Sequence, residues 1–304
     1  MLLPLLAALA LAGHAPADSL VRVIPTAPAE TLTVTIVGPD SGAPVVIIPG
    51  LVGPAFAYRR VLPELAAAGL RAIVIEPLGV GHSTHPGGNA DYSLYAQATR
   101  IGAVMDSLGV RHAVVMGHAV GTAMVLRLAW LRPDLVRRVL LVEGANLETA
   151  AVGGVKQALR FAWLIKLFGG RGRVRKELRK GLVGSSVDSS WVTDSVINGY
   201  TSGTAGDLGA VLRALKGMQN SVEPESFRPR LYEIRQPVRL LLASGPRLDG
   251  GQGLGVGRIQ TLQERIPHFS AETVWGTGLH MQEEKPEVLV QELIRLAHDP
   301  EPAP

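Results

Sequence analysis

Val114-Val115-Met116-Gly117-His118-Ala119-Val120-Gly121-Thr122-Ala123 sets a run of strand-forming apolar residues against two glycines four apart, with a helix-forming stretch directly behind them. This is the spacing G-x-S-x-G, in which a sharp strand-to-helix turn raises one side chain above a sheet so that a serine hydroxyl can attack an acyl carbon. The glycines are small because the turn is tight and the helix must come close to neighbouring strands. At the raised position stands Ala119. A methyl group cannot attack anything. Any chemistry therefore depends on groups elsewhere in the chain and on the elements that bring them to this turn.

Those elements are legible. Thr31 to Val37 alternates like a strand, and Pro39-Asp40-Ser41-Gly42 marks a turn. Val45 to Ile48, Arg71 to Glu76, His112 to Met116 and Val136 to Glu143 are short apolar runs of the kind that parallel sheets bury on both faces. Between them, Tyr58 to Ala68, Tyr92 to Leu108 and Val120 to Leu131 carry helical patterning, stopped by Gly69, Gly109 and Pro133. This alternation predicts βαβ units and a parallel sheet. From about Asn146 to Glu225 helical patterns and Gly-rich breaks replace it, without a core strand. It resumes with Val238 to Ala243 as strand, Gly257 to Arg265 as helix, Ala271 to Trp275 as strand and Pro286 to Ala297 as a final helix. A helical insert at that point is expected over the carboxyl edge of the sheet, where open α/β sheets bind ligands.

From about Val45 to Glu143, and again from Val238 to Ala297, the chain resembles the α/β-hydrolase family. Pro49-Gly50-Leu51-Val52-Gly53 is similar to the oxyanion-hole loop after the third strand, usually H-G-x-x-G. Glu76-Pro77-Leu78-Gly79-Val80-Gly81-His82-Ser83 is similar to the family's D-x-x-G-x-G-x-S loop, and Gly117 to Gly121 to its nucleophile elbow. The resemblance implies a mostly parallel, doubly wound α/β sheet with a helical lid insertion. Residues 18–145 and 226–304 are then the core and 146–225 the lid.

The family's reaction needs a Ser, a His to take its proton, a carboxylate to orient the His, and backbone N–H groups for the oxyanion. Ala119 fills the Ser place. Thr122, one turn on, and Ser83, in a structural loop, read as packing residues rather than substitutes. The orienting acid usually follows its strand as G-x-x-D. Here Gly245-Pro246-Arg247-Leu248 puts Leu248 at that place, with Asp249 one residue later, and Glu143 ends the preceding strand as a second candidate. Either carboxylate also reads as an ordinary loop acid. The family His sits in G-x-G-H, seven residues before a proline that opens the last helix. Counted from Gly276-Thr277-Gly278 and back from Pro286, that place is Leu279, with His280 its neighbour. His118 fills the usual place before the nucleophile, and Pro49 stands where a His usually begins the oxyanion loop. The backbone donors, from Leu51 and Val120, need no particular side chain. The departures fall on side chains that do chemistry, whereas the glycines that set shape remain. One such loss would suit an engineered change; several together suit a sequence released from the triad's demands.

The 304 residues suffice for one large α/β domain with an insert, and at 47% hydrophobic and 18% charged the chain is too apolar for general disorder. A net charge of +4 points to no nucleic-acid partner. Its placement is uneven. Between Ala151 and Ser190 lie nine basic residues, running from Lys156 to Lys180, against Glu177 and Asp188. Phe161-Ala162-Trp163-Leu164-Ile165-Lys166-Leu167-Phe168 leads into that cluster. The composition reads first as an amphipathic lid helix with a solvated basic face, and as the alternative an interfacial helix on an anionic membrane. The chain has no cysteine, and no P-loop, zinc spacing or dinucleotide fingerprint stands in a supporting context. Neither a metal nor a cofactor is expected. The apolar stretch from Leu2 to Gly13, followed by Ala15-Pro16-Ala17, reads as a signal peptide over residues 1–17, which predicts export.

Two functions follow as expectations. The first is a catalytically degenerate hydrolase-like protein that binds a small, largely apolar or ester-like molecule. The alternative is a weak ester hydrolase or other enzyme, with His280 as general base on water or substrate and Asp249 or Glu143 orienting it.

Overall fold

The apolar runs become strands β1 (Leu20–Ala27), β2 (Glu30–Val37), β3 (Pro44–Ile48), β4 (Arg71–Glu76), β5 (Ala113–His118), β6 (Val136–Val142), β7 (Val238–Ala243) and β8 (Phe269–Val274). They form one sheet in the order β1-β2-β4-β3-β5-β6-β7-β8. The β1–β2 and β2–β4 pairs are antiparallel and the others parallel. The computed structural model describes residues 19–87, 90–144, 147–148, 170–202, 208–246 and 256–300. The leader read at residues 1–17 lies outside them, as do Leu248 and Asp249 and the basic residues Lys156, Arg160 and Lys166.

The helices, in chain order, are α1 (Leu62–Ala67), α2 (Leu94–Ser107), α3 (Gly121–Leu131), α4 (Gly170–Gly184), α5 (Asp194–Thr201), α6 (Leu208–Asn220), α7 (Val256–Arg265), α8 (Met281–Glu284) and α9 (Pro286–His298). Successive strand residues face opposite sides, so one apolar run feeds two cores. Val46, Ile48, Val115 and Leu141 pack under α2 and α3, while Val45, Ile47, Met116 and Leu140 pack under α1 and α9. The result is a helix–sheet–helix sandwich, the architecture that continuous Val/Ile/Leu runs require if both faces of a parallel sheet are to leave water.

Edge strand β1 is not announced by the sequence pattern. Its residues show no clean alternation of buried and exposed positions, and its pairing with β2 shifts register between Pro25 and Ala27. A proline is tolerated there because an edge strand leaves one row of N–H groups unneeded.

The chain leaves β3 for β4 on one side and returns to β5 on the other. This reversal opens a crevice beyond the carboxyl ends of β3 and β5, the usual ligand position in such sheets. Between β6 and β7 the described residues contain helices α4, α5 and α6 and no strand. Leu182, Val196 and Ile197 of α4 and α5 join the core on one face, and Ala214 and Met218 of α6 join the other. The insert is anchored by carboxylates at its two ends. Glu148 accepts from the N–H groups of Phe227 and Arg228, each at 3.0 Å, and Glu223 accepts from Leu94 and Tyr95 at the start of α2, at 2.6 and 3.2 Å.

Candidate functional site

The crevice is lined by the turn after β5. Ala119 has φ +51°, the left-handed region that a residue with a Cβ occupies at a cost of about 1 kcal/mol or more. Such strain persists only where the surroundings impose it, and here two glycines do so. A Cβ on Gly117 would lie 2.6 Å from the Gly121 carbonyl carbon, and one on Gly121 would lie 2.4 Å from the Ile48 carbonyl oxygen. The sharp elbow is therefore intact in shape, with Ala119 half-buried at its tip. The Ala119 methyl faces the loop after β3, since a Cβ placed on Gly50 would be 3.3 Å from it. Among the described residues, no hydrogen bond uses the N–H of Leu51 or of Val120. Thr122 turns its hydroxyl back onto the Ala119 carbonyl at 2.6 Å, which makes it part of the turn.

The Glu76–Ser83 loop braces the crevice from the side. The buried Glu76 carboxylate accepts from the N–H of Ala55 at 3.0 Å and of His82 at 2.6 Å. Ser83 donates to the Glu76 carbonyl and accepts from the Thr33 N–H. Both side chains are committed to the scaffold.

Glu143 sits one residue beyond β6 with φ +54°, and its buried carboxylate accepts from the N–H of Ala243 at the end of β7. It thus ties together the carboxyl ends of two strands.

The turn after β8 decides between Leu279 and His280. Leu279 contributes its backbone: its N–H donates to Ser185 O at 2.9 Å, and its carbonyl accepts from His118 Nε2 at 2.9 Å. A carbonyl can only accept, so His118 carries a proton on Nε2. His280 precedes α8, and its ring is 1% exposed. The ring centroid lies 6.4 Å from that of His118 and 5.5 Å from that of Trp191. Neither His280 nitrogen has a hydrogen-bond partner among the described residues. Burial, aided by the nearby His118, pushes its pKa down to about 3, so the imidazole is neutral at physiological pH. The structure therefore brings His280 to the elbow through His118 without joining it to Glu143. Asp249 is outside the described residues.

Several groups at this site have no sequence signal. Trp191 arrives from the insert and lies between His280 and Tyr200, whose ring centroid is 6.0 Å from its own. Tyr200 donates to Glu283 at 2.8 Å, and Arg59 reaches the same carboxylate oxygen at 2.5 Å. Burial raises the Glu283 carboxyl above its ordinary value, with Arg59 opposing the shift. The contacts span 83 and 224 residues, beyond the range of any local pattern. On α4, Arg175 is bonded to Asn198 and Arg179 to Asp194, whereas Arg173, Lys176 and Lys180 are exposed.

Comparison with known proteins agrees with the geometry. A family model described as alpha/beta hydrolase fold matches residues 43–179. The solved structure of the epoxide hydrolase CorEH superposes with a TM-score of 0.74 at 18% identity, covering 92% of this chain and 98% of that one. The chain has the alpha/beta hydrolase fold. Within this fold, a 97-residue stretch is 33% identical to epoxide hydrolase B of Mycobacterium tuberculosis, covering 32% of this chain and 27% of that protein. A 107-residue stretch is 28% identical to a haloalkane dehalogenase of Mycobacterium marinum, covering 35% of this chain and 36% of the other. The likeness thus spans only about a third of these curated relatives. In terms of this fold, the elbow and the loop after β3 carry its usual shape, and the elbow tip carries alanine.

Proposed function

We propose that this protein is a non-catalytic member of the fold that holds a small, largely apolar molecule in the crevice above Ala119. The observation that carries the reading is the methyl group at the tip of a strained elbow. The backbone keeps a costly conformation there, while the atom that conformation serves in a hydrolase is missing. Removing the nucleophile of a serine hydrolase costs about a million-fold in turnover, so acyl-enzyme chemistry is not available to this chain. Relatives named for epoxides and haloalkanes support a small substrate of low polarity as the ligand type.

The test is Ala119→Ser, which restores only the hydroxyl. His280 has no carboxylate partner among the described residues and is a weak base at a pKa of about 3. The variant is expected to remain unlabelled by a fluorophosphonate probe, with aryl-ester turnover within about threefold of the parent. Probe labelling overturns the reading. Turnover in the parent that disappears in His280→Ala would instead establish His280 as a general base acting on water.

We infer a second contact from the surface of α4. Arg173, Lys176 and Lys180 project from α4, and Val183 and Val187 near its end are 43% and 53% exposed. This pairing of cationic and apolar surface suits an anionic membrane. Vesicles with anionic lipid are expected to capture the protein at low salt and release it near 0.5 M, a concentration at which the Debye length falls to roughly 4 Å. Failure to bind at low salt removes this contact without touching the first reading.

A further inference from the structure

The ligand's polar group can be deduced from what the site leaves unmet. His280 is enclosed, yet both ring nitrogens lack partners among the described residues. Trp191 Nε1 is likewise buried without a partner, and the two rings lie 5.5 Å apart, inclined at 60°. Buried polar groups in folded proteins are nearly always satisfied, so this pair marks a place built for something else to complete. The neutral imidazole presents one N–H and one bare nitrogen, and indole presents an N–H only.

Candidate groups can be sorted against that inventory. A carboxylate accepts but cannot donate to the bare nitrogen, and the nearby Arg59 is already engaged with Glu283. An ammonium donates but cannot accept from indole. An ether or halide accepts only, so it can bridge the two N–H groups but leaves the bare imidazole nitrogen without a donor. A hydroxyl does both: it donates to the bare imidazole nitrogen and accepts from Trp191 Nε1. Two hydrogen bonds of about 2.9 Å let a single oxygen bridge nitrogens up to about 5.8 Å apart. We propose that His280 and Trp191 form a hydroxyl-recognition subsite beside the elbow, so that the ligand is a small apolar alcohol or phenol. This rests on the pocket reading above and adds the head group to it.

The test is equilibrium dialysis of the intact protein with a matched pair, 2-naphthol and 2-methoxynaphthalene. The ether keeps the ring system and the acceptor and loses only the donor. The phenol is expected to bind at least about tenfold tighter. That advantage should stay constant from pH 5 to pH 8, since the imidazole is neutral throughout and a phenol titrates only near pH 10. It should shrink to within about threefold in His280→Leu and in Trp191→Phe. The second variant keeps an aromatic ring against Tyr200 and removes only the N–H, so it reports even if the first fails to fold. Equal binding of the two probes overturns the hydroxyl subsite and leaves the apolar pocket standing, as does an advantage that survives in a folded Trp191→Phe. Binding of neither probe removes the pocket reading and the subsite together.

Discussion

Glu223→Ala is expected to lower the unfolding free energy by about 3–5 kcal/mol, the range found when one partner of a buried ion pair is removed. The Glu223 side chain is 8% exposed and that of Arg127 only 2%, with Arg127 Nε 3.2 Å from the carboxylate. The guanidinium also lies 4.4 Å over the Phe227 ring. Burial pulls the Arg127 pKa down, and Glu223 opposes that shift most strongly, so the cation depends on its partner. The same carboxylate caps the first turn of α2 through Leu94 and Tyr95. Alanine takes the ion-pair partner from a buried cation, leaving only the more weakly coupled Glu148, and strips two helix N–H groups of their acceptor. Denaturant titration of the single variant, of Arg127→Met and of the double variant separates these effects. The double variant should cost less than the sum of the singles, because the stranded charge is gone. A loss below about 1 kcal/mol for Glu223→Ala would show that the pair does not hold the insert to the core.

The second large effect is expected at the elbow. In Gly121→Ala the added Cβ would meet the Ile48 carbonyl at 2.4 Å, a backbone atom that cannot rotate away. Helix α3 must then move off β3, at a cost of about 3 kcal/mol by the usual scale of overpacking. Gly172→Ala in α4 is the internal control, because a Cβ there meets nothing within 4 Å and alanine is the better helix former. It should be neutral or stabilising by up to about 1 kcal/mol. Calorimetry on the two variants checks both signs. If Gly121→Ala is as mild as the control, the close approach of α3 to β3 is not what demands glycine.

The elbow's outline was readable because close approach leaves a simple mark, two glycines at fixed spacing after an apolar strand. The parallel sheet was readable for a similar reason, since burial on both faces forces unbroken runs of Val, Ile and Leu. Edge strand β1 was not, because one exposed side relaxes that demand and admits Pro25. The site was half legible. Ala119 is a matter of identity at a position set by local geometry, so the loss of a nucleophile could be read directly. Spacing favoured Leu279 over His280 for the histidine place but could not say what either does. In three dimensions Leu279 contributes backbone to Ser185 and His118, while the His280 ring lies enclosed beside Trp191.

The sequence by itself determined the α/β alternation, the turn that presents residue 119 and the absence of a hydroxyl there, because each depends on neighbours a few positions away. Only the tertiary structure decided that Trp191 and Tyr200 from the insert meet His280 and Glu283 from the last turn, and that the His280 nitrogens stand unpaired among the described residues. These contacts join segments more than 80 residues apart, and side chains that meet only after the sheet forms leave no periodicity along the chain.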